Sequence, residues 1–298
     1  MAGSRFAYVR NFELPDPLLP STFFVIRLDG KGFHGFSKAH NFDKPNDVKA
    51  LNLMNEAAKR VMGGRELNGE CVMAYGESDE YSFVFKRSCK LHGRRSSKLI
   101  TLVTSVFTAA YVALWSTFFP NSPLDLEHLP VFDGRVVQYT SETEVRDYMR
   151  WRQVDTHINN LYNTCFWALV LQGGRTEFEA NKDLSGTISS QKQEMLFSRF
   201  SINYNTLDPM FRKGSLIMWY TATITADELS STSTESNPVA TASDEPPRLS
   251  NTPEGVHLRH RKPDAPKKKG KRKLIVVHED FIADEWWNEG RGKGVLDD

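Results

Sequence analysis

The stretch CVMAYGESDEYSFVFK, residues 71–86, sets two strand-like runs, CVMAY and EYSFVFK, on either side of the short turn GESD. Both runs are rich in aromatic and β-branched residues, so a hairpin with acids at its turn is predicted. Upstream, NDVKALNLMNEAAKRVM (46–62) places Val48, Leu51, Leu53, Met54, Ala57, Ala58 and Val61 on a helical face behind an Asn or Asp cap that follows Pro45. Before it, STFFVIRLD (21–29) reads as a mostly buried strand. Downstream, SSKLITLVTSVFTAAYVALWSTFF (96–119) is apolar around most of its circumference, which predicts a long, largely buried helix, and GRVVQY supplies a further strand. Strand, helix, hairpin, helix, strand is the order of a split βαβ unit. The expected fold class is therefore α+β: a ferredoxin-like antiparallel sheet with helices on one face, followed by a mostly helical C-terminal half.

In that second half, SETEVRDYMRWRQVDTHINNLYNTCFWALVLQGG predicts a helix in two pieces ending at Gly173 and Gly174. QKQEMLFSRF predicts a short helix and GSLIMWYTA a strand. Residues 226–255 are dominated by Ser, Thr, Pro, Asn, Asp and Glu without an aromatic, a composition that cannot offset the entropy of ordering, so a disordered insertion is expected. Its continuation, RHRKPDAPKKKGKRK (259–273), carries nine Lys or Arg against one Asp, a local charge of +8 in a chain of net +1. Such a strip suits a polyanion contact, a nuclear address or a solvated linker. Order is expected to resume at KLIVVHEDFIADEWWNE, whose tryptophans need somewhere to pack.

The chain has 298 residues, 40% hydrophobic and 25% charged, which suits one or two globular domains and excludes collagen-like and wholly disordered classes. Cys71, Cys89 and Cys165 are odd in number and lack CxxC spacing, so neither a disulfide framework nor a zinc site is expected, and a reducing compartment is. MAGSRFAYVRNF has no apolar core of a signal sequence, and neither secretion nor membrane spanning is expected.

The chemistry begins at RLDGKGFHGF, residues 27–36. Asp-Gly after a strand is either an ordinary turn or a strand-end carboxylate for a hard cation, with glycines that let phosphates approach the backbone. In a split βαβ sheet the first strand lies beside the hairpin, so Asp29 and Asp79 reach one edge. Two acids that close repel unless a cation lies between them, as a two-metal phosphoryl-transfer site provides. The alternative is a solvated hairpin tip. Strand alternation turns Glu80 away from Asp79, and Arg27, opposite Leu28, comes within reach of a nucleotide. HINNLYN combines His157 and Tyr162, which can stack, with Asn159, Asn160 and Asn163, which can read base edges. That mixture suits unpaired RNA bases or, equally, a capped and kinked helix.

Taken in order, RLDGKGFHGF, HNFDKPND, YGESDEYSFVF, FDGRVV, HINNLYNT and INYN with MFRKGS resemble the tRNA(His) guanylyltransferase family, from about Arg5 to Ala222 and again near FIADEWW. Its enzymes add a guanylate to the 5′ end of histidine tRNA. The resemblance implies a polymerase-like palm holding two Mg²⁺ ions through Asp29, Asp79 and the Gly30 carbonyl, with both aspartates catalytic. It implies nucleotide contacts from Asp29, Gly30, Lys31, Gly32, Phe33, His34, Lys44, Asp47, Ser78 and Asp79; Lys44 could clamp a triphosphate or simply be a surface lysine, and His34 could face a base or be partly buried. A second triphosphate site is implied at Ser97, Lys98, Arg135 and Lys192, although QKQEMLF departs from the family's KNE at Gln193. RNA contact is implied at His157, Asn159, Asn160, Tyr162 and Asn163.

The same resemblance implies ATP and GTP as substrates: adenylylation of the tRNA 5′-phosphate, attack by the GTP 3′-hydroxyl, and removal of pyrophosphate. It divides the chain into a catalytic palm (1–140), a helical RNA-contacting and assembly region (141–225), the insertion with its basic strip (226–273), which is not part of the family pattern, and a final strand and helix (274–298). It implies tRNA(His) as partner and a homotetramer; the residues themselves point to no membrane and to the cytoplasm, with the nucleus as a second address through the basic strip and mitochondria left open. The rivals are a non-catalytic RNA-binding or assembly protein on the same fold, and a template-dependent 5′-end repair polymerase. Intact Asp29, Gly30, Ser78 and Asp79 speak against the first, and HINNLYN with the added helical half against the second.

Overall fold

The computed structural model describes residues 4–221 and 272–297. Six strands, β1 (Phe23–Gly30), β2 (Cys71–Glu77), β3 (Glu80–Phe85), β4 (Phe132–Tyr139), β5 (Ser215–Thr221) and β6 (Arg272–Val277), form one sheet in the order β4-β1-β3-β2-β5-β6. β1 runs antiparallel between β3 and β4, and β2 antiparallel between β3 and β5. The first four strands have the predicted split βαβ order.

The run FFVI is uniformly apolar because β1 is buried on both faces. Phe24, Ile26 and Leu28 join a core with α2 (Val48–Gly63) and α3 (Ser96–Phe118), the two palm helices expected on one face. Phe23 and Val25 point to the opposite face, into a second core with Val145, Tyr148 and Met149 of α4 (Glu142–Leu171) and with Phe281, Trp286 and Trp287. The two tryptophans, on the short helix that ends the order of elements, thus find their packing on the back of the palm. A third core joins the later part of α4 to α5 (Glu177–Leu184) and α6 (Ser189–Phe200) through Leu161, Cys165, Leu169, Ala180, Leu184 and Leu196.

α3 is long and apolar enough to cross a membrane by length and composition. Here one face of it is core, with Leu99, Val103, Phe107, Tyr111 and Trp115 buried against the sheet and α2, while Thr101, Ser105, Val112 and Ala113 on the other face are exposed, so it is less buried than its apolar composition predicted.

Two readings of the sequence are corrected. α4 is one unbroken helix of 30 residues, not two pieces. A Ser141–Glu144 capping box starts it; the Thr156 and Thr164 hydroxyls donate to carbonyls one turn back instead of breaking it, and its two halves are buried in different cores. The glycine-rich segment after β1 also contains a short helix, α1 (Phe33–Ala39), because Phe33 and Phe36 pin it against Tyr111, Phe132 and Trp115.

Met1–Trp219 and Leu274–Asp298 pack as one compact unit, so the palm and the helical half share a body. Of the second unit, Tyr220–Lys273, the described residues are the ends of β5 and β6. The expected disordered insertion and nearly all of the basic strip lie outside the described residues.

Candidate active site

Glu77 and Glu80 are register partners across the hairpin, which leaves Ser78 and Asp79 as a two-residue turn, with Ser78 at φ 48°. The Gly30 N–H donates to the Asp79 carbonyl at 3.1 Å, so the end of β1 is tied to the hairpin tip. A Cβ on Gly30 would stand 2.4 Å from the Phe33 ring and 2.8 Å from Asp79 Oδ2. The strand end and the turn can close together only with glycine there.

Asp29 and Asp79 line one cavity of about 300 Å³ with Ser78, Glu80, Arg152 and Asn163. A neighbouring cavity of about 510 Å³ begins at Ser78 and Asp79. Its palm wall carries Phe33, His34, Lys44 and Asp47, and its other wall Tyr162, Asn163, Phe166 and Trp167 of α4. Burial pushes the Asp79 carboxyl up to about 6, against hydrogen bonds from its own backbone and Ser78, with the Asp29 and Glu80 charges adding to the rise. Burial likewise pushes Glu77 up to about 7, with Glu80 adding. Glu80 is not turned away from the site: it is the register partner of Asp29 and shares its face. Arg152 holds it at 3.0 Å, and Arg27, the residue expected to reach a nucleotide, lies 3.6 Å from it.

Among the described residues no group of three or more His, Cys, Asp or Glu side chains could hold a metal by itself. Two carboxylates plus a backbone carbonyl are hard oxygen donors that leave most of the shell to water and phosphate, the usual way of holding Mg²⁺. Asp79, buried beside a second acid, carries the kind of uncompensated charge a cation relieves. The residues fit that ion.

The other expected nucleotide contacts are unequal. Lys44 reaches Ser37 Oγ at 3.2 Å and sits 5.5 Å from the Trp167 ring, and burial lowers its pKa. Asp47, one of the two caps the sequence allowed for α2, is the one used: its carboxylate accepts from the N–H groups of Asp43, Lys49 and Ala50, so it shapes the wall instead of offering free oxygens. Gly32 takes a left-handed conformation at the start of α1. Lys31 is exposed, its N–H bonded to the Val131 carbonyl, and lines neither cavity.

HINNLYN is divided by the helix. Asn159, Tyr162 and Asn163 face the acidic cavity. Asn160 is buried and its amide donates to the Tyr204 hydroxyl at 3.1 Å, so a base edge could not be read without breaking that bond. His157 packs edge-on to the Tyr204 ring, 5.3 Å away, and burial, with Arg212 adding, lowers its pKa.

None of the four residues of the implied second triphosphate site lines the cavities at Asp29 and Asp79. Ser97 and Lys98 open α3, where the Ser97 N–H is held by Asp16, at the Thr22 end of β1. Arg135 pairs with Asp133 on the outer strand β4, and Lys192 donates to the Thr187 carbonyl beside Tyr162.

Sequence reasoning missed Glu77, Arg152 and Asp155, which line the acidic cavity. A signal existed: Arg152, Asp155, Asn159, Asn163 and Phe166 recur at helical spacing on one face of α4, visible only once HINNLYN is read as continuous helix.

A ferredoxin-like palm whose central strand and hairpin tip aim two acids into a cavity walled by a polar helix face, beside a second cavity that Asp79 shares with Lys44, belongs to the class of nucleotidyltransferases. The family description tRNAHis guanylyltransferase matches residues 6–140, and the description Thg1 C terminal domain matches residues 143–283. A tRNA(His) guanylyltransferase of Kluyveromyces lactis is 57% identical over 217 residues, 73% of this chain and 91% of its own. One of Neurospora crassa is 48% identical over 287 residues, 96% of this chain and 94% of its own. The crystal structure of the Saccharomyces cerevisiae tRNA(His) guanylyltransferase superposes with a TM-score of 0.69 at 52% identity, covering 72% of this chain and 93% of that one. A bacterial Thg1-like protein in complex with ATP shares the fold at a TM-score of 0.58 and 24% identity, covering 71% and 85%. The chain belongs to the tRNA(His) guanylyltransferase family.

Proposed function

We propose that this chain adds a guanylate to the 5′ end of tRNA(His) in three steps: adenylylation of the 5′-phosphate by ATP, displacement of AMP by the 3′-hydroxyl of GTP, and removal of pyrophosphate. The observation that carries the reading is the bond from Gly30 N–H to the Asp79 carbonyl, which fixes Asp29 and Asp79 in one cavity in a chain matched by the family along most of its length. Both transfers need an oxygen nucleophile in line with a phosphorus, so one site serves both. Two Mg²⁺ ions, held by Asp29, Asp79 and the Gly30 carbonyl, would activate that nucleophile and neutralise phosphate charge.

The chain's own residues bind and orient. Lys44 offers a partly desolvated cation to the triphosphate, and His34 and Ser78 edge the same cavity. Asn159, Tyr162 and Asn163 approach the unpaired 5′ end of the tRNA by stacking and hydrogen bonding. His157 and Asn160 support them from behind through Tyr204. That a bacterial protein of this fold was solved with ATP agrees with the first step. In this reading the working form is a homotetramer, and Ser97, Lys98, Arg135 and Lys192 reach a second triphosphate from more than one copy. The test is a labelled tRNA(His) transcript lacking its extra 5′ guanylate, incubated with ATP, GTP and Mg²⁺. A product one nucleotide longer is expected; none from folded protein would overturn the proposal.

A further inference from the structure

Three acids stand in a row across the sheet. Asp29 on β1 pairs in register with Glu80 on β3, and Glu80 pairs with Glu77 on β2. Asp79 at the tip makes a fourth. A set of four carboxylates is the oxygen-rich environment that a six- to eight-coordinate cation such as Ca²⁺ prefers, whereas Mg²⁺ is held by one or two with water and phosphate completing the shell.

One side chain from the helical half intervenes. Arg152 of α4 is buried, with 5% of its side chain exposed. One terminal nitrogen donates to both Glu80 oxygens, at 3.1 and 3.0 Å, and lies 3.9 Å from Glu77; the other donates to Asp155 at 2.9 Å. Its guanidinium lies 3.8 Å from the Trp151 ring centre, which fixes the plane of the fork. Arg27, the other cation in reach, touches Glu80 alone, at 3.6 Å.

We propose that Arg152 is a positioning residue that sets the ligand count of the cation site: it binds Glu80 and neutralises Glu77 from 3.9 Å, so that of the four acids Asp29 and Asp79 are the ones left to take metal. It thereby selects Mg²⁺ over Ca²⁺, and it ties the nucleotide-side hairpin to the helix that carries Asn159 and Asn163. This rests on the cation site proposed above. Lysine could not replace it, because a single ammonium lacks the planar fork that bridges Glu80 and Asp155.

The experiment counts cations on the full chain without nucleotide, by Mn²⁺ electron paramagnetic resonance and by calorimetric titration with Mg²⁺ and Ca²⁺. Arg152→Met is expected to bind at least one additional ion and to shift preference toward Ca²⁺ by about tenfold or more. Arg152→Lys should shift the same way by less. Adding Glu77→Gln and Glu80→Gln to Arg152→Met should restore the original count and preference. A folded Arg152→Met with unchanged count and preference would overturn the proposal. Should Arg152→Met fail to fold, the triple variant decides: folding with the original preference supports the role, while failure to fold, or an altered preference, ends it. A chain that binds no cation at all would instead remove the site on which the proposal rests.

Discussion

Gly30 lacks the Cβ that would press on the Phe33 ring and on Asp79 Oδ2, and this lets the strand end meet the hairpin turn. Gly30→Ala is expected to cost about 1–3 kcal/mol of stability by overpacking and to lower guanylate addition by about tenfold or more, as denaturant melts and the tRNA extension assay would show. An unchanged extension rate would mean that the tight closure is not needed. Two of the three asparagines of HINNLYN should separate. Asn160→Ala removes the donor to the buried Tyr204 hydroxyl, leaving that group only its bond to the His157 carbonyl, and should lose about 1–2 kcal/mol with little change in rate below its melting range. Asn163→Ala, exposed at the cavity, should keep its stability and lose rate, checked by the same two measurements. Asp29, Asp79 and the capping role of Asp47 were legible in the sequence, because strand ends, turns and caps are local. The burial of Asn160 was not, because its partner lies 44 residues away.

α4 is the element that joins palm to cavity wall. Its hold on the sheet includes the Tyr75 hydroxyl of β2, which meets Thr156 Oγ1 at 2.6 Å and donates to the Lys213 carbonyl at 2.9 Å in a buried setting. Tyr75→Phe should therefore cost about 1–3 kcal/mol. It should also loosen the register between α4 and the hairpin, seen as faster amide exchange in residues 152–163 than in β1; uniform exchange would place the effect elsewhere. The four palm strands and α2 and α3 were readable because period-2 and period-3.6 patterns there are strong. α4 was misread at its centre, since Asn and Thr weigh against helix locally while tertiary burial decides. α1 was hidden by glycines for the same reason: Phe33 and Phe36 pack against residues about 70 or more positions later.

At the scale of the molecule, the palm and the helical half form one unit, while residues 226–254 have a composition unsuited to a core. The Kluyveromyces lactis relative is matched over 91% of its own length by only 73% of this chain. Deleting 226–254 should leave the melting temperature within ~2 °C and guanylate addition unchanged; loss of folded protein would show that the segment supports the body. The central claim is that β1's end and the hairpin turn together form the transfer site. Its most direct test is the rate at which labelled tRNA(His) gains guanylate with Asp29→Ala and with Asp79→Ala, each shown by circular dichroism to be folded. The account predicts a loss of at least about 1000-fold in both, with no loss of stability because removing either acid relieves repulsion. Either variant working within about tenfold of the unaltered chain would contradict it.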